Sequence, residues 1–209
     1  MQNMQNKQIP DIVVGRLPSY LQMLKRLKTA GETNTSSKEL GLKLEISAAQ
    51  IRKDLSHFGE FGKQGTGYSI NYLIECLEDI LHVNKVWDMA LVGVGFLGHA
   101  IANFQGFNHH GFQIKCIFDV DPSKIGQFVA GHIILDISEL EKVIRKLNIQ
   151  VAMITVDADN AQDVADKLVR AGIKSILNYA PVIIKVPSGI QIQYINPIIK
   201  LQHMTYYLK

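Results

Sequence analysis

Cysteine is scarce in this 209-residue chain, with two residues only, Cys76 and Cys116, far apart in sequence. Neither sits in a CxxC or Cys/His ligand spacing, which argues against a zinc site or a disulfide scaffold. Two buried small hydrophobes in a reducing cytoplasm are the reading that remains. No run of about 18 apolar residues is present, so no membrane-spanning helix is expected. The opening MQNMQNKQIP lacks the charged-then-apolar order of a secretory signal. Charge of one sign is also lacking overall, at 22 Lys/Arg against 19 Asp/Glu. With 47% hydrophobic and 20% charged residues the chain is neither disordered nor low in complexity, and its length suits one or two domains.

The small excess of positive charge is unevenly placed. Residues 1–70 carry ten Lys/Arg against six Asp/Glu, whereas residues 71–209 carry twelve against thirteen. This points to a polyanion meeting the first third of the chain. There, Leu17, Tyr20, Leu21, Leu24 and Leu27 recur at three- and four-residue steps between Pro18 and Gly31, predicting a helix. Ser36-Ser37-Lys38-Glu39 and Ser47-Ala48-Ala49-Gln50 each read as a capping box opening a further helix. The short connector between them makes the pair a helix-turn-helix. In the second of these, Ala48, Ile51 and Leu55 share one face and leave Gln50, Arg52, Lys53 and Ser56 elsewhere. Arg and Gln can each pair with base edges in a major groove, and Lys53 can neutralise a phosphate; a merely solvated polar face is the alternative. Four glycines within the nine residues from Gly59 to Gly67, around Lys63 and several aromatics, then suit a tight basic hairpin. A helix-turn-helix followed by such a hairpin is the pattern of a winged helix, closed here by a helix over residues 71–82.

From residue 86 the pattern changes. The apolar run Met89-Ala90-Leu91-Val92 leads into Gly93-Val94-Gly95-Phe96-Leu97-Gly98 and a helix from His99 to Phe104. Gly93 serves the tight turn, Gly95 lets a pyrophosphate approach backbone, and Gly98 allows close helix-to-strand packing. A second strand, Ile114 to Asp119, ends in an acid 21 residues beyond Gly98, placed to hold a ribose 2′-hydroxyl and to repel a 2′-phosphate. NAD(H) is therefore favoured over NADP(H). Strands at 133–135, 151–155 and 175–177 alternate with helices near 138–147 and 160–171, giving a Rossmann-like, doubly wound parallel sheet in an α/β fold. Asp121-Pro122 reads as the start of a helix rather than as part of a metal pair, and His109-His110 as solvated loop, so no metal is expected. Residues 196–209 resume a helical pattern too apolar for water, packing either on their own domain or on a partner subunit. The domains implied are 1–85, 86–195 and a C-terminal helix over 196–209.

Taken together, these segments resemble the Rex family of redox-sensing transcriptional repressors from about Ile12 to Leu201. The resemblance is carried by Arg16-Leu17, by Ser36 to Leu40, by the run Ala49 to Ser56, by Phe58 to Gly62 and by Gly65-Thr66-Gly67-Tyr68. In the second half it is carried by the glycine motif, Phe118 to Pro122, Ala171-Gly172-Ile173 and Asn178-Tyr179-Ala180-Pro181. It implies a cytoplasmic homodimer, each C-terminal helix reaching across to the other subunit. Two winged heads would hold an inverted-repeat, A/T-rich duplex operator that is released as NADH accumulates. Transferred to this sequence, Gln50, Arg52, Lys53 and Ser56 would face the groove with Ser37 and Lys38 beside them. Lys63 to Tyr68, including Gly65 and Gly67, would form the wing, and Arg16 would sit where head meets cofactor domain. NAD(H) would lie along Gly93, Val94, Gly95, Phe96, Leu97 and Gly98, with Asp119 on the adenosine ribose. Phe104, Thr155, Val156, Asn178, Ala180 and Pro181 would lie toward the nicotinamide. The chain departs from the family pattern at Phe96 (usually Asn or Arg), Phe104 (Tyr in some members), Asp157 (Pro) and Asn196-Pro197 (Asp and an apolar residue). An enzyme is not expected. A dehydrogenase would need a substrate domain after residue 195 and a positioned proton-transfer group, and neither is legible.

Overall fold

Leu17, Tyr20, Leu24 and Leu27 recur every three or four residues because a helix brings such positions onto one face, and the computed structural model buries all four. Residues 9–63 and 67–208 are described, without the side chain of Lys63. The chain divides into two units, Met1–Lys85 and Val86–Lys209.

The first unit contains α1 (Asp11–Val14), α2 (Leu17–Thr29), β1 (Asn34–Thr35), α3 (Ser37–Leu44), α4 (Ala48–Ser56), β2 (Gly62–Lys63), β3 (Gly67–Ser69) and α5 (Ile70–Ile80). Ser36 and Ser47 cap α3 and α4, their hydroxyls accepting from Glu39 N and Gln50 N at 3.1 Å each. The three residues from Glu45 to Ser47 separate the two helices, with Glu45 left-handed at φ 57° to turn the chain. β2 and β3 pair antiparallel and β1 adds to β3 in the order β1-β3-β2. Gly65, expected in the wing, lies outside the described residues. Leu17, Tyr20, Leu24, Leu40, Ile51, Ile70, Leu73 and Leu77 form one core at 0–1% exposure. Each contributes roughly 1.5–3 kcal/mol of burial, which fixes α4 on α2, α3 and α5.

The second unit contains β4 (Trp87–Val92), α6 (Phe96–Ala102), β5 (Phe112–Asp119), β6 (Phe128–Val129), β7 (His132–Asp136), α7 (Leu140–Leu147), β8 (Val151–Ile154), α8 (Ala158–Ala171), β9 (Ser175–Asn178), β10 (Gln191–Tyr194) and α9 (Pro197–Thr205). Short 3-10 turns occupy Gln105–His110, which includes the two histidines expected in a loop, and Ile137–Glu139. The sheet runs β10-β9-β8-β4-β5-β7-β6 and is parallel except for β6. Its order reverses between β4 and β8, where open α/β sheets leave a crevice at their carboxyl ends. β4 is buried on both faces, Ala90 and Val92 toward α7 and α8, Met89 and Leu91 toward α6.

Two expectations fail here. No helix follows Asp121-Pro122: residues 122–126 form a turn with Lys124 N and Ile125 N on Asp121 O, and Gly126 at φ +83° leads into the β6–β7 hairpin. Gly126 N donates to Ile134 O and Ile134 N to Gln127 O, which draws the segment onto β7 instead. The helix expected from His99 to Phe104 begins at Phe96 and ends at Ala102, leaving Phe104 outside it. Strands β1, β6 and β10 were not legible from the alternation.

Candidate DNA-reading helix and dinucleotide crevice

On α4 the exposed residues are Ala49, Arg52, Lys53 and Ser56, spaced i, i+3, i+4 and i+7 down one stripe. Gln50 is half-buried on the flank of that stripe. Arg52 Nη1 donates to Ser37 Oγ at 3.0 Å, so α3 holds the guanidinium, and Ser56 Oγ donates back to Lys53 O at 2.8 Å. A hollow of about 830 Å³ between α4 and the hairpin is lined by Ser36, Ser37, Arg52, Ser56, Gly67 and Tyr68. Burial raises the Tyr68 hydroxyl above its ordinary value, against the nearby Arg52 charge and the Ser37 hydroxyl. Lys38 stands apart, lining a separate hollow with Leu42 and Ile46.

Arg16 is not a free cation. Its Nε and Nη2 donate to Asp54 Oδ2 and Oδ1 at 2.6 and 2.7 Å, and Tyr20 Oη donates to Oδ2 at 2.6 Å. Asp54 is completely buried, and burial alone would raise its carboxyl. Hydrogen bonds from Arg16, Tyr20 and Gln50, with the guanidinium charge, overcome this and hold it below the usual carboxylate range. The same contacts raise Arg16, the Asp54 hydrogen bond most, and burial with the Asp54 hydrogen bond raises Tyr20. Arg16, expected where head meets cofactor domain, braces α4 from within the head through Asp54. Sequence reasoning missed both Asp54 and Ala49. Ala49 could have been found from the period alone, three, four and seven residues before Arg52, Lys53 and Ser56.

In the second unit, residues 93–98, Asp119, Thr155, Val156, Asn178, Ala180 and Pro181 gather at the carboxyl ends of β4, β5, β8 and β9. The glycine turn is tightly determined. Thr155 Oγ1 donates to Val92 O at 3.0 Å and Gly93 O at 2.7 Å, while Gly93 N donates to Phe118 O at 2.8 Å. A Cβ on Gly98 would overlap the Gly93 carbonyl oxygen and approach Thr155 Oγ1 at 2.9 Å; one on Gly93 would meet Val156 Cγ1 at 2.7 Å. Gly95 differs: a Cβ there meets nothing within 4 Å and its φ is −74°. The protein itself does not demand a glycine at that position, so the demand falls on whatever approaches the turn from outside. That open cradle fits a pyrophosphate against backbone.

Three polar residues expected at the dinucleotide also hydrogen-bond the loops around the crevice. Asp119 Oδ2 accepts from Val94 N at 2.6 Å, and Oδ1 accepts from Val120 N and Asp121 N at 2.8 and 2.9 Å, with Lys124 Nζ 3.5 Å from Oδ2. Burial opposes ionisation, yet the N–H groups of Asp121 and Val94, the Lys124 charge and the Val120 N–H hold the Asp119 carboxyl low. Asn178, fully buried, donates Nδ2 to Ala180 O and Val182 O at 3.1 and 3.0 Å and accepts Ala180 N at 2.9 Å. Thr155 ties β8 to the glycine turn as described. Phe104 is not brought to the crevice. It packs edge-on to Phe107, ring centroids 5.1 Å apart, near Gln113 and His132 at the amino ends of β5 and β7. Phe96 is fully exposed beside Gly95. Burial pushes the Cys116 thiol up to about 12, so it is inert. Among the described residues no group of three or more His, Cys, Asp or Glu is placed to hold a metal ion, and no helix is long and apolar enough to cross a membrane.

Residues 84–182 match the family model described as "CoA binding domain", and residues 8–56 match "Putative DNA-binding protein N-terminus". A relative from Roseiflexus sp. (strain RS-1), the redox-sensing transcriptional repressor Rex, is 48% identical over 199 residues, covering 95% of this chain and 90% of its own. The crystal structure of RSP in complex with beta-NAD+ and operator DNA superposes with a TM-score of 0.91 at 37% identity, covering 96% of this chain and 92% of that one. RSP in complex with beta-NADH gives 0.88 at 35% identity, covering 97% and 95%.

Proposed function

The chain belongs to the Rex family of redox-sensing transcriptional repressors, and from that premise we propose that it grips an inverted-repeat operator as a homodimer and lets go when NADH accumulates. It is a DNA-binding regulator rather than an enzyme, and its dinucleotide is NAD(H), as in the complexes of RSP. The observation that carries the reading is the pairing, in one chain, of a helix whose outward stripe holds Arg52 and Lys53 with a glycine turn whose one unconstrained glycine, Gly95, lies open at the sheet reversal.

On this reading residues 1–85 are the DNA-binding domain, 86–195 the dinucleotide domain and 196–209 the dimerisation helix, in a cytoplasmic protein. Arg52 reads a base edge from a position set by Ser37, Lys53 neutralises a phosphate, and Gly67 and Tyr68 bring the wing to the backbone. Gly93 to Gly98 hold the pyrophosphate on backbone N–H groups, and Asp119 keeps that turn in shape at the ribose end. Asn178 orders the Ala180-Pro181 turn toward the nicotinamide. When bound, the nicotinamide supplies a difference of one charge and of ring planarity between its two redox states. A ligand shifts a two-state dimer only by its differential affinity, commonly about 1–3 kcal/mol. That suffices to move two recognition helices off half-sites about one helical turn apart, or a multiple of it.

The apolar residues of α9, Ile198, Ile199, Leu201 and Met204, stand 55–61% exposed in the single chain. This supports burial of α9 against the partner subunit. Enrichment of duplexes from a random library with the full-length protein, without NADH, tests the reading. An inverted repeat is expected; enrichment of nothing, or of a single unrepeated site, would overturn it.

A further inference from the structure

Asp54 is the only acid on α4, and it faces inward with four donors on its carboxylate: Arg16 Nε and Nη2, Tyr20 Oη, and Gln50 Nε2 at 2.7 Å. A carboxylate hydrogen-bonded in this way can only accept, so the side-chain amide of Gln50 must turn its nitrogen toward Asp54. Oxygen and nitrogen of a free glutamine exchange places by a simple flip, but beside Asp54 the flipped form would set two oxygens against each other. The amide nitrogen carries two N–H groups, and one is used inward. What remains is an edge with one acceptor, Oε1, and one donor, the second N–H. Gln50 is half-buried on the rim of the exposed stripe formed by Ala49, Arg52, Lys53 and Ser56, so this edge lies beside that stripe.

An acceptor beside a donor complements one base edge of the major groove: adenine, whose N6 donates and whose N7 accepts. We propose that Asp54 is a positioning residue for base specificity, holding Gln50 with its acceptor–donor edge outward so that each head selects adenine at one step of its half-site. This rests on α4 being the recognition helix. The tether fixes the glutamine before the duplex arrives, so less side-chain freedom is lost on binding. Arg16 and Tyr20 serve the same end by clamping the opposite side of the carboxylate, which explains why a buried acid is kept in a helix otherwise suited to a polyanion.

The test uses full-length protein and a duplex enriched from a random library with the wild type. Each adenine is replaced in turn by 7-deazaadenine, which removes the N7 acceptor, and affinity is read by fluorescence anisotropy. Wild type should lose about tenfold at one adenine per half-site. Gln50→Ala should bind more weakly yet lose nothing further at that position. Asp54→Asn, which lets the amide flip, should flatten the preference there, so that its deaza penalty at that position falls toward none. Should Asp54→Asn fail to fold by thermal melting, Gln50→Lys keeps a donor for the Asp54 carboxylate and offers donors only. It should change the enriched base from adenine toward guanine, whose O6 and N7 accept. A deaza penalty that persists in Gln50→Ala, or an unchanged base in Gln50→Lys, overturns the inference while leaving DNA binding by α4 untouched. A wild type that enriches no duplex overturns the reading beneath it, and the inference with it.

Discussion

Alanine at Gly95 and alanine at Gly98 add the same methyl group three residues apart on one turn, and the surroundings of each predict opposite consequences. At Gly98 the new carbon overlaps the Gly93 carbonyl oxygen and sits 2.9 Å from both Gly93 C and Thr155 Oγ1. Relief requires about 1 Å of movement by α6 or by the Gly93 backbone, and the latter is pinned by Phe118 O and Thr155 Oγ1. Overpacking against well-held atoms costs about 1–3 kcal/mol, and the backbone on one side and a double hydrogen bond on the other place this case near 3. At roughly 4 °C per kcal/mol for a unit of this size, the melting point should fall by about 10 °C. At Gly95 the methyl meets no protein atom within 4 Å, and φ −74° suits any residue. Stability should change by less than about 1 kcal/mol, because the lost chain entropy of glycine offsets a poorer helix cap. NADH affinity should nonetheless fall about tenfold or more, since the methyl stands where the pyrophosphate meets backbone. Differential scanning calorimetry gives the first quantity and isothermal titration with NADH the second. A Gly95→Ala protein that binds NADH like wild type would refute the placement of the cofactor, and a Gly98→Ala protein that melts like wild type would refute the packing argument.

Asp54→Ala strands the Arg16 guanidinium and the buried Tyr20 hydroxyl, and should lower the stability of the head by about 3–5 kcal/mol in urea titration; a loss under 1 kcal/mol would show that the clamp is not structural. Asp54 and Asp119 are both held below the ordinary carboxylate value. Each therefore adds stability that is full above the unfolded value near 4 and is lost as pH falls through the lower folded value, so the urea midpoint should drop on acidification below about pH 4, and a rise there would contradict the assignment. Arg52→Ala should weaken operator binding by about 1–3 kcal/mol with NADH affinity unchanged. Lys53→Ala should weaken binding to all duplexes alike and reduce the slope of log affinity against log salt by about one; a sequence-selective effect of Lys53→Ala would reverse their roles.

The elements that could be read from sequence are those whose cause is local. Helix α2 follows from the spacing of Leu17 to Leu27, the caps of α3 and α4 from Ser36 and Ser47, and the crevice from a glycine turn that must pass under its own helix. What could not be read depends on neighbours distant in the chain. Arg16 finds Asp54 38 residues later, and Thr155 binds Val92 and Gly93 across the sheet. The glycine spacing pointed to Asp119 as a ribose ligand, but the sequence does not reveal that Val94 N is its partner. Nor does it reveal that the Asn178 amide is committed to Ala180 and Val182. Two-residue strands such as β6 are too short for alternation to register. The Gln50–Asp54 contact is the exception: four residues apart on one helix, it lies within reach of the period argument.

The most direct test of the account is fluorescence anisotropy of a labelled operator duplex bound to the full-length protein, at constant total dinucleotide, while NADH replaces NAD+. Anisotropy should fall as the NADH share rises and remain high in NAD+ alone. Equal release by both forms, or release by neither, would contradict the claim that the redox state of the dinucleotide governs the grip on DNA.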